Sequence, residues 1–95
     1  MKVSFFHLMP YQDLPSNFEE KFHSAWVDLP NENFNPEICQ QYYDDYIEQL
    51  QHADSMGFDG VCVNEHHNNA YGLMPSPNLI ASVLANTTSK GALIV

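Results

Sequence analysis

The sequence predicts an α/β fold in which β-strands and α-helices alternate along the chain. Three short apolar runs, at residues 3–8, 60–64 and 92–95, have the composition of strands, and residues 36–56 and 77–89 carry the spacing of helices. Within the second of these, the continuous apolar run at 61–63 shows no alternation of polar and apolar side chains, which is typical of a parallel strand covered by helices. Strands that alternate with helices indicate right-handed βαβ units, so we expect adjacent parallel strands with both helices on one face.

The first strand is predicted at residues 3–8, where "VSFFHL" is rich in β-forming side chains and Pro10 follows. A long polar segment, residues 9–35, comes next. Within it, Ser16 and Glu19 have the spacing of a capping box and predict a short helix, whereas "DLPNENFNP" predicts an irregular loop. Because the segment leaves from the carboxyl end of the first strand, it is in a position to cap a pocket there.

The clearest helix is predicted over residues 36–56. Asn35 is a suitable N-cap, Pro36 suits the first helical position, and Gly57 suits the position just after the helix. Apolar side chains recur along one face at spacings of three and four residues: Tyr42, Tyr46, Leu50 and Ala53. Polar and acidic residues fill the other face, so the helix is amphipathic and its apolar face is expected to pack on the sheet.

The second helix and the last strand follow from the same kind of signal. Ser76 and Pro77 repeat the N-cap and first-position pairing, and "ALIV" at 92–95 predicts a third strand. No helix follows that strand, and three parallel strands leave two unpaired edges. The sequence therefore predicts that residues 1–95 are a single incomplete domain, the N-terminal βαβαβ part of a (β/α)8 TIM-type barrel.

Charge and composition exclude several classes of function. The 95 residues contain 3 lysines and arginines together against 12 carboxylates, for a net charge of -9. Nothing here neutralises phosphates, so we expect no binding to nucleic acid or to an anionic membrane. No stretch approaches the roughly 18 apolar residues of a membrane span. Cys39 and Cys62 lie outside any CxxC spacing and are expected to be free thiols in a cytoplasmic protein.

Candidate functional residues gather where the predicted strands end. Glu65, His66 and His67 directly follow the second strand, and His7 and Met9 end the first. In α/β folds, binding and catalytic groups lie beyond the carboxyl ends of the strands. We therefore expect these residues to lie within reach of one site.

The arrangement of the histidine pair favours acid–base chemistry over metal binding. Neighbouring residues of an extended chain point in opposite directions, so His66 and His67 are poorly placed to bind one ion. The HExxH spacing of helical zinc sites is also absent. A single imidazole acting as general acid or base fits better. A metal-dependent barrel hydrolase using His7 with His66 or His67 stays open as an alternative, and His23 and His52 are interpreted as structural.

The motif around the pair resembles a known family. "GFDGVCVNEHH" followed by "YGLMPSPNLIASVLA" is similar to the second strand, active-site loop and second helix of the bacterial-luciferase-like flavin monooxygenases, and "VSFFHLMPY" is similar to their first strands. The resemblance covers most of the chain and is weakest between residues 12 and 35. It implies a barrel enzyme, usually a homodimer, that binds reduced FMN, or in some branches the deazaflavin F420, at the carboxyl ends of its strands.

The resemblance also implies roles for particular residues. His66 falls on the catalytic position, as general acid or base in the oxygenation of a small organic substrate by reduced FMN and O2. Glu65 and His67 match the flanking motif positions, and with His7 and Met9 they are assigned to cofactor binding. A separate flavin reductase commonly supplies the reduced flavin.

The anchor for the cofactor phosphate is expected from later loops, so the isolated chain is expected to be inactive. The alternatives are an F420-dependent oxidoreductase of the same fold, the metal-dependent hydrolase, and a non-catalytic truncated fragment.

Overall fold

The computed structural model describes residues 1–95 as a three-stranded parallel sheet with its two long helices on one face. The strands are β1 (Ser4–His7), β2 (Gly60–Val63) and β3 (Ala92–Ile94). The helices are α1 (Phe18–Lys21), α2 (Ala25–Asp28), α3 (Cys39–Met56) and α4 (Pro77–Thr87), and there are 3-10 turns at Asn31–Asn33 and Pro36–Ile38. This confirms the α/β class and the order of the main elements.

The strands lie in the order β1, β2, β3, and both pairs are parallel. Their register places His7 beside Val63 at the carboxyl end of the sheet. It also places Phe6, Cys62 and Ile94 in one row across the three strands. The prediction of adjacent parallel strands is confirmed.

The start and end of α3 follow from its capping residues. The Asn35 side chain accepts a hydrogen bond from Glu37 N (2.9 Å), and Pro36 opens a 3-10 turn that leads into α3. Gly57 ends the helix with φ of +94°, a left-handed conformation that costs glycine little because it has no Cβ. The predicted helix at 36–56 is therefore present, with its first three residues in a tighter turn.

The shorter helices differ from the sequence prediction. α4 ends at Thr87 rather than at residue 89. The capping box predicted from Ser16 and Glu19 is wrong, because α1 is a single turn whose N-cap is Asn17 and which has no side-chain cap. α2 was not predicted at all, since four residues are too few to show a helical period.

The core lies between the sheet and the two long helices. Its buried side chains include Val61 and Val63 of β2, Leu50 of α3 and Leu84 of α4. Apolar side chains removed from water in this way supply most of the stability of a small domain. None of the helices is both long and apolar enough to cross a membrane.

One charged side chain, Asp54 of α3, is buried beside the start of β3. Its carboxylate accepts backbone hydrogen bonds from Gly91 (2.6 Å), Ser89 (3.0 Å) and Lys90 (3.2 Å). These bonds, the Gly91 bond first, lower the pKa of Asp54 because they favour the charged form. Asp54 therefore joins α3 to the loop that positions β3.

The opposite face of the sheet is uncovered. Phe6, Leu8 and Ile94 are 54%, 44% and 41% exposed, and Cys62 lies between Phe6 and Ile94 in the same row. Apolar side chains that form a continuous exposed face are unusual on a complete domain.

Candidate active site

The loop after β2, residues 64–76, is fixed by backbone hydrogen bonds to the chain that follows β1. Residues 9–11 pair with residues 71–73 in antiparallel fashion, through N–H to carbonyl bonds of 2.9 and 2.6 Å. Within the loop, His66 N donates to Met74 O (3.0 Å). The loop therefore has a defined conformation at the carboxyl end of the sheet, where the sequence predicted the site.

His66 carries its imidazole into the interior of this loop. Its Nε2 atom is buried and has no hydrogen-bond partner. The ring packs edge to face against Trp26, with 4.8 Å between centroids and an interplanar angle of 73°. Gly72 lies against another part of the ring, where a Cβ would come within 2.4 Å of His66 Cδ2. Only glycine fits at position 72 without displacing the imidazole.

Glu65 and His67 point outward instead. Glu65 Oε1 and His67 Nε2 are 2.7 Å apart, and their side chains are 60% and 63% exposed. The three consecutive residues thus alternate outward, inward and outward, as expected for extended chain. The pair therefore offers one imidazole with a buried nitrogen, at His66, and one that is largely exposed to solvent, at His67.

Asn64, the first residue after β2, also has a buried side-chain atom without a hydrogen-bond partner. Its Oδ1 atom is buried without a partner, and Asn64 Oδ1 and His66 Nε2 are the two buried side-chain polar atoms of the chain in this state. Leaving such an atom unpaired costs about 1–3 kcal/mol. Unpaired buried polar groups are rare in folded proteins, so their occurrence two residues apart makes this loop the candidate ligand site.

His7 turns in another direction, toward α3. Its Nδ1 accepts a hydrogen bond from Met9 N (2.9 Å), which leaves Nε2 as the N–H that donates to Gln49 Oε1 (3.0 Å). Its ring also lies 4.5 Å from that of Tyr46. Both ring nitrogens are therefore bonded, one to the backbone just after β1 and the other to α3. The structure does not bring His7 to the histidine pair, and its cofactor-binding role stays a prediction.

Met9 is fully buried and has a φ of +47°, which is uncommon for any residue other than glycine. This conformation turns the chain out of β1 and into the pairing with residues 71–73. Its side chain belongs to the core, so the structure gives Met9 a packing role, and its assignment to cofactor binding stays a prediction.

Trp26 is a site residue that the sequence did not indicate. It stands on α2 and packs edge to face on both His66 (4.8 Å) and Tyr71 (4.7 Å). The polar segment 9–35 thus does reach the loop after β2, as its predicted capping position required. The available signal was that Trp26 is the single tryptophan of the chain, set in an otherwise polar segment.

A cavity of about 240 Å³ adjoins the histidine pair. Both histidines line it, together with Phe34, Tyr43 and Leu73 among its apolar walls. Tyr43 donates its hydroxyl to Leu73 O (2.7 Å), and burial raises the pKa of Tyr43, so the hydroxyl stays protonated at neutral pH. Its apolar walls with a few polar groups are the usual lining of a site for a small organic molecule, and its volume is below the roughly 300–1,000 Å³ of such sites.

A larger cavity of about 500 Å³ lies between α3 and β1, lined by Phe5, Met56 and Phe58 with Asp45 and Glu48 among its other walls. It shares no lining residue with the histidine pair. Size alone does not make it the site, because it lacks the enclosed unpaired polar atoms found beside His66.

Metal-ligating side chains do not converge anywhere in the chain: no group of three or more histidine, cysteine, aspartate or glutamate residues is placed to hold an ion. The set required by the hydrolase alternative, His7 with His66 or His67, is not assembled. His7 is engaged with Gln49 and Met9 instead.

Fold and site together define an α/β domain with an enclosed imidazole at the carboxyl edge of a parallel sheet. The luciferase-like monooxygenase family model matches residues 22–95, and the chain belongs to that family. This confirms the resemblance seen in the "NEHH" and "YGLMPSP" segments. No curated protein and no solved structure matches the chain.

Proposed function

We propose that this chain acts in a flavin-dependent monooxygenase that uses reduced FMN and O2 to oxygenate a small organic substrate, with His66 as general acid or base. Membership of the luciferase-like family indicates an oxidoreductase of the monooxygenase type. The observation that carries the finer proposal is the buried, unpartnered Nε2 of His66 at the carboxyl end of the central strand.

The position of His66 suits proton transfer. An imidazole gains and loses a proton near neutral pH, and a general acid or base must have a nitrogen free to reach the reacting group. His66 Nε2 has a free hydrogen-bonding position, because no protein group forms a hydrogen bond with it. Enclosure by Trp26 and the loop limits access of water, which protects reactive species formed with oxygen.

The residues present fit the ring of a flavin better than its phosphate. Asn64 Oδ1 and His66 Nε2 offer two enclosed polar atoms to a heteroaromatic ligand that carries both donors and acceptors. Reduced flavin, when bound, would supply the electrons that activate oxygen. The phosphate has no such partner in the cavity beside the histidine pair, whose lining contains no lysine. Lys2 binds Asp59 and Lys90 binds Ser55 O, before the amino ends of β2 and β3, and Lys21 ends α1.

The uncovered sheet face supports the proposal of a (β/α)8 barrel. In such a barrel the face away from the helices lines a packed interior. The row of Phe6, Cys62 and Ile94 has the apolar character required for that interior. We infer that further strands cover this row and that later loops supply the phosphate anchor. A homodimer and a separate flavin reductase are proposed from the family resemblance alone.

Cofactor titration of the full-length protein tests this function. Addition of protein to FMN should quench flavin fluorescence, and supply of reduced FMN should give oxygen uptake with an oxygenated product. Quenching of F420 with no effect on FMN would replace the proposal by the F420-dependent alternative. Loss of activity together with one bound metal ion on chelation would favour the hydrolase.

A further inference from the structure

We propose that Trp26 is a positioning residue that fixes the orientation of the His66 imidazole. The inference rests on the proposed function, because that function gives His66 its reaction, but it concerns a residue in the segment 9–35, which precedes the histidine pair in the sequence. Its basis is the way in which the two rings are held, together with the absence of any side-chain hydrogen bond that would orient His66.

Hydrogen bonds do not orient the ring of His66. Nε2 has no partner, and no side-chain hydrogen bond of the protein involves this imidazole. The contrast with His7 is direct, since both nitrogens of His7 are bonded and its orientation is therefore set. The orientation of His66 must come from packing.

Packing on His66 comes from two directions. Trp26 meets the imidazole edge to face at 4.8 Å, the arrangement that aromatic rings prefer. Gly72 lies close to Cβ, Cγ and Cδ2 of the same ring, at distances that leave no room for a side chain. Rotation of the ring would require Trp26 or the backbone at Gly72 to move.

Trp26 is itself held by the loop that carries His66. Asn68 Nδ2 donates to Trp26 O (3.0 Å) and Val27 O (3.1 Å), and Asn69 Nδ2 donates to Ala25 O (3.0 Å). These bonds anchor α2, a four-residue helix without a buried residue or a side-chain cap of its own. The two asparagines directly after the histidine pair thus place the indole on His66.

Such an arrangement matters for proton transfer because the reaction depends on the direction of Nε2. A catalytic group that is misplaced by about 1 Å can lose on the order of 10²-fold in rate. Loss of the indole should therefore lower kcat, with little effect on flavin binding, whose phosphate anchor lies elsewhere.

The test is a mutant cycle in the full-length enzyme. Trp26→Leu should lower kcat by about 10- to 100-fold with the dissociation constant of FMN unchanged within about threefold, and Trp26→Phe should recover most of the rate. In a His66→Ala background, Trp26→Leu should have almost no further effect, because residues that act through one another are not additive. Val27→Ala, at an exposed neighbour on the same helix, is the matched control and should leave kcat unchanged.

Equal losses in kcat from Trp26→Leu in the two backgrounds would overturn the proposal, as would an unchanged kcat in the single variant. A second readout does not depend on turnover. The ring protons of His66 should show a ring-current shift in the NMR spectrum that is lost in Trp26→Leu and partly kept in Trp26→Phe. An unchanged His66 spectrum in Trp26→Leu would overturn the positioning role. An enzyme without flavin-dependent turnover would instead overturn the proposed function, and the spectrum would still report on the ring.

Discussion

His7 and His66 lie near the carboxyl ends of neighbouring parallel strands, yet their surroundings are opposite. His7 is bonded through both ring nitrogens, to Met9 N and to Gln49 of α3. His66 lies in the loop after β2 with a buried Nε2 that has no partner. One histidine joins the sheet to the helix layer, whereas the other keeps a nitrogen free.

Hydrogen-bond pairing separates structural from candidate functional polar groups in this fold. Polar groups in the helix layer are paired, as shown by His7 and by Asp54 with its three backbone donors. The unpaired buried atoms belong to Asn64 and His66, both in the loop after β2. Because an unpaired atom is unfavourable for folding, a ligand is the simplest reason to keep two of them together.

The largest expected effect is on catalysis at His66. His66→Ala should lower the oxygenation rate by about 10²–10⁴-fold, the usual contribution of a positioned general acid or base. Flavin binding should change far less. Steady-state turnover with reduced FMN measures this, with His67→Ala as the control, because the exposed His67 should give a much smaller loss. Equal losses in both variants would contradict the contrast between an enclosed and a solvated imidazole.

His7→Ala should show the reverse behaviour. Its removal leaves Met9 N–H and Gln49 Oε1 without a partner and opens a cavity beside Tyr46, so stability should fall by about 2–4 kcal/mol. Urea unfolding measures this loss. His52→Ala, at an exposed position on α3, should stay within about 0.5 kcal/mol of the parent. A stable His7→Ala protein with no turnover would make His7 functional after all.

Asp54 should make the folded state less stable as the pH falls into the acid range. Its pKa is lowered in the fold, so its contribution is fully present above its unfolded pKa near 4 and is lost as pH falls through the lower folded value. Asp54→Asn removes the charge and replaces one carboxylate oxygen by an NH2 donor, so at least one of the three backbone donors loses its acceptor. The variant should be less stable than the parent at pH 7 and should lose less stability on acidification. Thermal unfolding between pH 7 and pH 3 tests this, and parallel curves for the two proteins would contradict it.

The smallest effect is expected at the outward-facing pair of Glu65 and His67. Both side chains are more than half exposed, and pairs of this kind contribute only about 0–1 kcal/mol. Glu65→Gln should therefore change the free energy of unfolding by less than about 0.5 kcal/mol. A loss of 2 kcal/mol or more on urea unfolding would show that this pair is structural, which the exposure of both groups argues against.

Much of the fold could be predicted because its signals are local. Asn35, Pro36 and Gly57 act at the start and end of the long helix through their own backbone preferences. The apolar run at 60–64 predicted a strand under helices, and Val61 and Val63 are buried there. His66 could be found for the same reason, since it directly follows a predicted strand.

The direction of His7 could not be predicted from its strand. Phe5 and Phe6 are adjacent and both apolar, so "SFFH" gives no alternation that assigns one face to the helices. The structure places Phe6 on the uncovered face and His7 on the face of α3. The left-handed backbone conformation of Met9 could not be predicted either, because methionine has no preference for that conformation.

The contact between Trp26 and His66 could not be predicted from the sequence, for a different reason. It depends on how the irregular segment 9–35 folds back, and that path is set by the side chains of Asn68 and Asn69, more than forty residues further along. Contacts of such separation between two irregular segments leave no periodic pattern. The contact between Trp26 and His66 is therefore evident only in the folded structure.

The central claim, that His66 keeps a nitrogen free for the ligand while His7 does not, is tested most directly by 15N NMR of the ring nitrogens. Full-length protein with 15N-labelled histidine is titrated with FMN until flavin fluorescence shows saturation. The Nε2 resonance of His66 should shift on FMN binding, whereas the resonances of both ring nitrogens of His7 should not. A stationary His66 Nε2 at saturating FMN, or a shift confined to His7, would contradict it.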